Sequence, residues 1–390
     1  MARRGDSFHH AGVNVMEKEN AERTAAGIIK LCDAQHPADA MLRQELKVSR
    51  LPRSETGLVA ELVFTYFRWK GWLHEDMHLM RQVAEARELD FRFSADPGSF
   101  STEELQRAVP AWIHDEIDVT REWLCALQSK PTMWLRAKRG TGADLAQRLG
   151  GALRGGGALD DALEYDGRED LFRTPEFQAG EFEVQDVASQ LVGLFCAPQP
   201  GQTWWDACAG EGGKTLHLSD LMGNKGLIWA SDRSERRLQK LKQRTARAKV
   251  FNYRGAVWEG GTKLPTKGKF DGVLIDAPCS GVGTWQRNPH ARWTTTMEDV
   301  RELGAVQQRL ILNAAASVKP GGRLIYSVCT LTRSETDAVA DLCSPQLSGF
   351  EPIPPTAWPN GLPGASDPRW IWPQAFRGNG MFVMAWKRLS

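Results

Sequence analysis

Two cysteines stand in settings unlike the other five. Cys279 lies in Asp276-Ala277-Pro278-Cys279-Ser280-Gly281-Val282-Gly283-Thr284, directly after the apolar run FDGVLI, and Cys329 closes the run GRLIYSVC. A thiolate is a strong nucleophile, and a carboxyl group such as Asp276 beside it can move protons, so the three together suit covalent catalysis. A lone free cysteine more often fills a core as a small hydrophobe. Cys32, Cys125, Cys196 and Cys343 are read that way. From the residues alone, Cys279 and Cys329 are not ranked as attacking thiol.

A third cluster is the stretch Asp206-Ala207-Cys208-Ala209-Gly210-Glu211-Gly212-Gly213-Lys214-Thr215. Its Gly-Lys-Thr ending resembles a phosphate-binding P-loop, which also needs a glycine five positions before the Gly-Lys pair. Cys208 stands there, where a Cβ fits poorly, so a nucleotide hydrolase is a distant reading. Gly210, Gly212 and Gly213 permit a tight turn and close backbone approach to a ligand. Asp232 follows Gly212 by 20 residues and ends the next apolar run, GLIWASD. A carboxylate so placed hydrogen-bonds ribose hydroxyls in dinucleotide-type folds, which points to an adenosine-containing cofactor. The alternative is a purely structural turn.

These groups need a scaffold that gathers them at one edge. The runs TWWDACA, GLIWASD, FDGVLIDA, GRLIYSVC and FVMAWK alternate with helical segments, which predicts βαβ units and a mostly parallel, doubly wound sheet. Ligands in such sheets sit beyond the carboxyl ends of the strands, where all three motifs fall. The fold class expected is α/β, a Rossmann-like domain over residues 181–390. Before it, residues 130–180 read as a small α/β insert, with TMWLRAK as strand, ADLAQRLGGAL as helix and RGGGALDD as turn. Residues 1–129 read as a helical domain. There Leu58, Leu62 and Trp69 form one stripe beside Val59, Val63 and Tyr66, with Ser54 as a candidate cap.

Composition bounds the rest. A chain of 390 residues with 42% hydrophobic and 25% charged content fits a soluble protein of two or three domains. The net charge of +1 means that any nucleic-acid surface must be local. No apolar run reaches the ~20 residues that span a bilayer, and MARRGDSFHH lacks a signal's apolar region. Seven scattered cysteines without a CxxC pair argue against both a disulfide framework and a zinc site. A reducing, cytoplasmic setting, no metal, no membrane partner and a monomer are expected.

DACAGEGGKT, DAPCSGVGTWQRNP and YSVCTLTRSETDAV together resemble the signature motifs of the RsmB/Sun family of RNA cytosine-5 methyltransferases. FEVQDVASQLV is similar to the family's lead-in. The resemblance is close over about residues 180–390. It extends more loosely to a NusB-like helical domain at the N-terminus, through ADAMLRQEL and ELVFTYFRW, and to a small RNA-recognition-like domain from Pro131. The resemblance implies S-adenosyl-L-methionine as methyl donor. Residues 208–214, Asp232, Glu259 and Asp276 would hold it, that is Cys208, Ala209, Gly210, Glu211, Gly212, Gly213 and Lys214 in the loop. It further implies that Cys329 attacks carbon 6 of cytosine, that Cys279 assists product release, and that Asp276 serves ring N3. Lys214 would tune a thiol or position a ligand.

The chain departs from the family pattern in places. Gly210-Glu211 replaces the usual Ala-Pro, and Glu211 is free to pair with Lys214 or face the donor's sulfonium. Glu259 is the sole acid offered near the adenine position. Gln286 replaces the first arginine of Arg-Arg-x-Pro, and Thr336 replaces a common asparagine. After Asp232, the stretch RSERRLQKLKQRTARAKV sets eight basic residues against one acid. Arg233, Arg236, Arg237, Lys240, Arg244 and Arg247 fall on one helical face that either binds phosphates or is simply solvated. Trp285 and Trp293 are candidates to stack a base or to fill a core. The NusB-like resemblance favours 16S ribosomal RNA as substrate, with transfer RNA second. A catalytically silent RNA-binding or assembly protein is the rival from another class.

Overall fold

Alternation within each apolar run explains the central sheet. In Thr203–Asp206 (β5), Trp205 faces a core with Val273, Ile275, Leu324 and Tyr326, while Trp204 faces the opposite core with Leu274 and Ile325. Strands that are apolar on both faces must be covered on both, which the helices do. Val187–Cys196 packs on one face, and Met297–Ala315 with Asp337–Cys343 packs on the other. This computed structural model describes residues 19–49, 51–153, 159–167, 169–353, 367 and 369–389.

The remaining strands of this sheet are Leu227–Asp232 (β6), Tyr253–Val257 (β7), Phe270–Asp276 (β8), Val318–Val328 (β9), Phe350–Pro352 (β10), Trp370–Ile371 (β11) and Met381–Arg388 (β12). Their order is β10-β12-β9-β8-β5-β6-β7, with β11 on β12. Pairing is parallel from β9 through β8, β5 and β6 to β7, whereas β12 runs antiparallel to β9. The order reverses at β5, between β6 and β8, and opens a crevice at the carboxyl ends there. The sequence reading missed β7 because Tyr-Arg-Gly-Ala-Val is an exposed edge strand with little apolar pattern.

Met133–Ala137 (β1), Ala152–Leu153 (β2), Ala162–Tyr165 (β3) and Phe182–Val184 (β4) form a separate antiparallel sheet in the order β2-β3-β1-β4. With helices Gly142–Leu149 and Pro175–Gln178, the chain order is βαββαβ. β4 carries this sheet past the expected boundary at residue 180. Both of its faces are buried. Leu135, Leu163 and Phe182 pack under its own helices, and Trp134 and Ala162 pack against Val187. Trp134 Nε1 also donates to the Arg377 carbonyl at 3.0 Å, and Arg136 pairs with Asp220 at 3.0 Å. A sheet covered twice does not stand alone, and it belongs to one compact unit with the large sheet, Pro131–Thr284 with Met297–Ser390. The separate domain expected over 130–180 is therefore merged. Most of the expected turn RGGGALDD lies outside the described residues.

The other unit holds the chain up to Lys130 together with Trp285–Thr296. Helices at 19–30, Ala38–Val48, Arg53–Trp69, Leu79–Ala95 and Arg121–Gln128 build it. Val59, Leu62, Val63, Tyr66 and Trp69 are buried as their spacing predicts, and Leu58 is partly so. Ser54 falls inside its helix, whose N-cap position is Pro52. Sequence order places 285–296 with the catalytic domain, yet its side chains complete the helical core. Arg292 is fully buried and donates to the carbonyls of Leu127 and Trp285 and to Gln128 Oε1. Trp285 is fully buried edge-on to Trp112, and Trp293 Nε1 donates to the Phe67 carbonyl at 2.7 Å. Trp285 therefore does not stack a base. Gln286 spends its amide on the carbonyls of Ser129 and Lys130. Among the described residues, no helix is long and apolar enough to cross a membrane.

Candidate active site

The loop after β5 is built by its glycines. Gly210 and Gly212 have φ of +55° and +90°, a left-handed backbone that costs other residues strain. At Gly212 a Cβ would also meet Leu241 at 2.8 Å. The turn is latched by Ala209 N–H on the Ser231 carbonyl and by Gly210 N–H on Asp232 Oδ2 at 3.0 Å. Asp232 Oδ1 accepts from Ser234 N–H at 2.8 Å. A carboxylate has about four acceptor sites, so Asp232 retains capacity for ribose hydroxyls while it holds the loop.

Helix Gly213–Leu221 then starts, and Lys214 turns into the sheet edge. Its Nζ lies 2.7 Å from Asp276 Oδ2, and Ser327 Oγ donates to Asp276 Oδ1 at 2.9 Å. Burial by itself would lower the Lys214 pKa, but the adjacent Asp276 charge reverses this and holds it above the usual lysine value. Lys214 is thus committed to a carboxylate, which removes the P-loop reading. Glu211 does not pair with Lys214 either. It takes Lys240 at 2.6 Å on the half-exposed rim.

The two cysteines meet. Cys279 Sγ and Cys329 Sγ are 3.2 Å apart, at the ends of β8 and β9. The hydrogen bond to Cys329, then burial, then the charges of Cys329 and Glu335 push the Cys279 thiol well above its ordinary value. Cys208 is pushed up as well, chiefly by burial, which fits a loop-shaping residue and not a reactive one. Burial raises Cys32 to about 11 and Cys343 to about 12, and it raises Cys196 too.

A cavity of about 480 Å³ joins these parts. It is lined by the loop 207–211, by Asp232, Glu259 and Asp276, and by Cys279 and Cys329. Gly212, Gly213 and Lys214 shape it from behind and do not line it. Sequence reasoning did not single out Trp258, Gly260, Val306, Arg309 or Leu310 among its walls, and it read Arg233 and Arg237 as a phosphate-binding face. Trp258 is buried edge-on to Trp205, with ring centroids 4.8 Å apart, next to the exposed Glu259. Its place directly before Glu259 was the available signal. Arg309 is on helix Met297–Ala315, and nothing local in sequence connects it to the cysteines.

The basic stretch after Asp232 is less free than its sequence implies. Arg244 and Arg247 both pair with the buried Glu183, and Lys240 is taken by Glu211. Arg236, Arg237 and Lys242 remain exposed. Among the described residues no cluster could hold a metal ion.

A parallel sheet of this order, with a glycine loop, a ribose-type acid and two thiols along one carboxyl edge, defines a Rossmann-like methyltransferase domain. A methyltransferase homolog protein from Pyrococcus horikoshii matches it with a TM-score of 0.58 at 25% identity, over 69% of this chain and 90% of that one. Residues 194–387 match the family described as 16S rRNA methyltransferase RsmB/F, and the domain they form belongs to that family. It is 42% identical over 171 residues to a probable ribosomal RNA small subunit methyltransferase B of Synechocystis, covering 43% of this chain and 38% of the relative. A human 28S rRNA (cytosine(4447)-C(5))-methyltransferase is 34% identical over 181 residues, covering 45% of this chain and 22% of the relative. The chain thus aligns with less than half the length of either.

Proposed function

We propose that this protein transfers a methyl group from S-adenosyl-L-methionine to carbon 5 of a cytosine in RNA, with 16S ribosomal RNA the favoured substrate. The observation that carries the reading is the contact of Cys279 with Cys329, beside the Lys214–Asp276 ion pair and on the wall of the 480 Å³ cavity. A family protein without chemistry has no need to keep two thiols in contact there. The names of the curated relatives supply the substrate class.

The cavity fits the donor: glycine backbone on one side, Asp232 for ribose hydroxyls, Trp258 and Glu259 at the adenine end, and Asp276 toward the reacting groups. When bound, the donor supplies an activated methyl group. The protein's part begins with the Cys329 thiolate, which adds to carbon 6 of cytosine and forms an S–C bond. The displaced ring electrons move toward N3, which takes up a proton that the Lys214 ammonium gives up and the ion-paired Asp276 carboxylate relays. Carbon 5 thereby becomes nucleophilic and can accept a methyl group. Release requires removal of the carbon 5 proton and cleavage of the Cys329–carbon 6 bond, and Cys279 assists at that stage. Electrostatics favour this division of labour. Lys214 and the Cys329 thiolate attract each other, whereas Cys279 faces the Glu335 carboxylate.

The NusB-like and RNA-recognition-like readings of the first 180 residues belong to the same proposal, as RNA-positioning elements. The βαββαβ order of the small sheet supports the second, but its buried faces leave only edges and loops for RNA. Bisulfite sequencing of RNA incubated with the purified protein and methyl donor tests the reading. A new protected cytosine in 16S RNA is the expected result. Protection in transfer RNA alone would move the assignment, and binding without any protection would favour the silent RNA-binding rival.

A further inference from the structure

We propose that Glu335 is a positioning residue, whose buried carboxylate ties the Cys279 loop to the Cys329 loop and sets a negative charge against the Cys279 side of the pair. The proposal rests on the methyltransferase reading only for what the thiols are used for. Glu335 has no solvent exposure and ends the short turn Arg333–Glu335 that follows the Cys329 motif.

Five donors converge on it. Oε1 accepts from Ser280 N–H and from Gln307 Nε2, each at 2.9 Å. Oε2 accepts from Thr332 Oγ1 at 2.8 Å, from Thr330 Oγ1 at 3.2 Å and from Ser280 Oγ. Ser280 directly follows Cys279 and Thr330 directly follows Cys329, so one carboxylate grips the residue next to each thiol. Ser280 Oγ and Thr330 Oγ1 also touch each other at 3.0 Å. Gln307 braces the arrangement by donating to the Pro278 carbonyl and accepting from Tyr326 Oη, both at 2.9 Å.

All five donors are neutral. A buried carboxylate is normally paired with a cation or heavily hydrogen-bonded, because its desolvation is costly. Here only hydrogen bonds are used. Burial raises the Glu335 pKa, and the bonds from Ser280, Thr332 and Gln307 oppose that rise. The other titratable groups facing the cluster are Cys279, Cys329 and Tyr326, with Cys343 behind Tyr326 and the Lys214–Asp276 pair on the Cys329 side. Lys214 therefore favours charge on Cys329, and Glu335 disfavours it on Cys279. That asymmetry separates two thiols that look alike in sequence.

E335Q and E335A separate the two roles. Glutamine can place its carbonyl oxygen toward Ser280 N–H and Gln307 and its amide toward the three hydroxyls, which rotate to accept, so E335Q keeps the clamp and removes the charge. Site-resolved alkylation by iodoacetamide, read by peptide mass spectrometry across pH, reports thiolate at each cysteine. In a Cys329→Ser background, E335Q is expected to alkylate Cys279 about tenfold faster at pH 8, one pKa unit being tenfold. An unchanged Cys279 profile would overturn the charge role. E335A is expected to slow diamide-driven Cys279–Cys329 disulfide formation at least tenfold, and a wild-type rate would overturn the positioning role. Neither measurement needs RNA or methyl donor. Failure of the methylation assay with intact thiol results would therefore strike the proposed function and leave this inference standing.

Discussion

Lys214 Nζ lies 2.7 Å from Asp276 Oδ2, bridging the glycine loop and the cysteine-bearing strand end in one ion pair. Both motifs therefore fail together if either partner is lost. Lys214→Met is expected to leave Asp276 without its cation, to weaken the support for a Cys329 thiolate and to slow methyl transfer by ~10²-fold or more, the usual range for a proton-transfer group. Single-turnover kinetics with radiolabelled donor would show it. A mutant with an unimpaired single-turnover rate would remove Lys214 from the chemistry.

The two cysteines are expected to fail differently. Cys329→Ala forms no bond to carbon 6, so it is inactive and leaves RNA free. Cys279→Ala still attacks and methylates but stalls at release, and it accumulates a protein–RNA adduct visible on a denaturing gel. Trapping by Cys329→Ala instead would exchange the roles. Full activity of both mutants without an adduct would end the covalent mechanism.

Asp232 does two jobs, since its carboxylate also accepts from the amides of Gly210 and Ser234. Asp232→Ala should weaken donor binding by at least tenfold, charge-assisted hydrogen bonds being worth ~1.5–3 kcal/mol. Asp232→Asn keeps one acceptor oxygen and should lie between. Calorimetry with S-adenosyl-L-methionine checks both, and equal affinity of all three proteins would refute the ribose assignment.

Asp206 is buried at the root of the loop, with Thr215 Oγ1 donating to Oδ2 and Oδ1 unpaired among the described residues. Burial, opposed by the Thr215 bond, pushes its carboxyl up to about 7 from 3.8. A folded-state pKa above the unfolded one favours the fold below about pH 4. That contribution is lost as pH rises to about 7, a swing of at most about 4 kcal/mol. Asp206→Asn removes the titration. The variant should therefore be more stable than wild type at pH 8, with the advantage shrinking at pH 5. Denaturant melts at the two pH values decide it.

Glu183 is buried between Arg244 and Arg247, so these arginines hold structure before they hold RNA. Replacing both with Gln strands a buried carboxylate and should cost about 3–5 kcal/mol of stability. Replacing the exposed Arg236 and Lys242 should cost little stability and flatten the salt dependence of RNA binding instead. A stable double-Gln variant at 244 and 247 would show that the pairing is dispensable.

Much of the site was legible because its parts are local. The glycines, Asp232, Asp276, Cys279 and Cys329 each announce themselves by residue type at the end of an apolar run, and the alternation of those runs with helical segments predicts the mostly parallel sheet. Sequence order also placed all of them on one carboxyl edge. Only tertiary structure decided the pairings. Glu211 went to Lys240 and not to Lys214, because the loop turns it outward to the rim. Glu335 carries no local signal, since three of its five donors come from Ser280 and Gln307, far from it in the chain. Trp285 looked available for a base until a fully buried Arg292 and Trp112 showed that 285–296 completes a helical core. Apolar periodicity is carried by each strand alone, whereas a hydrogen-bond partner across the sheet is set by register and crossing, which no local pattern encodes.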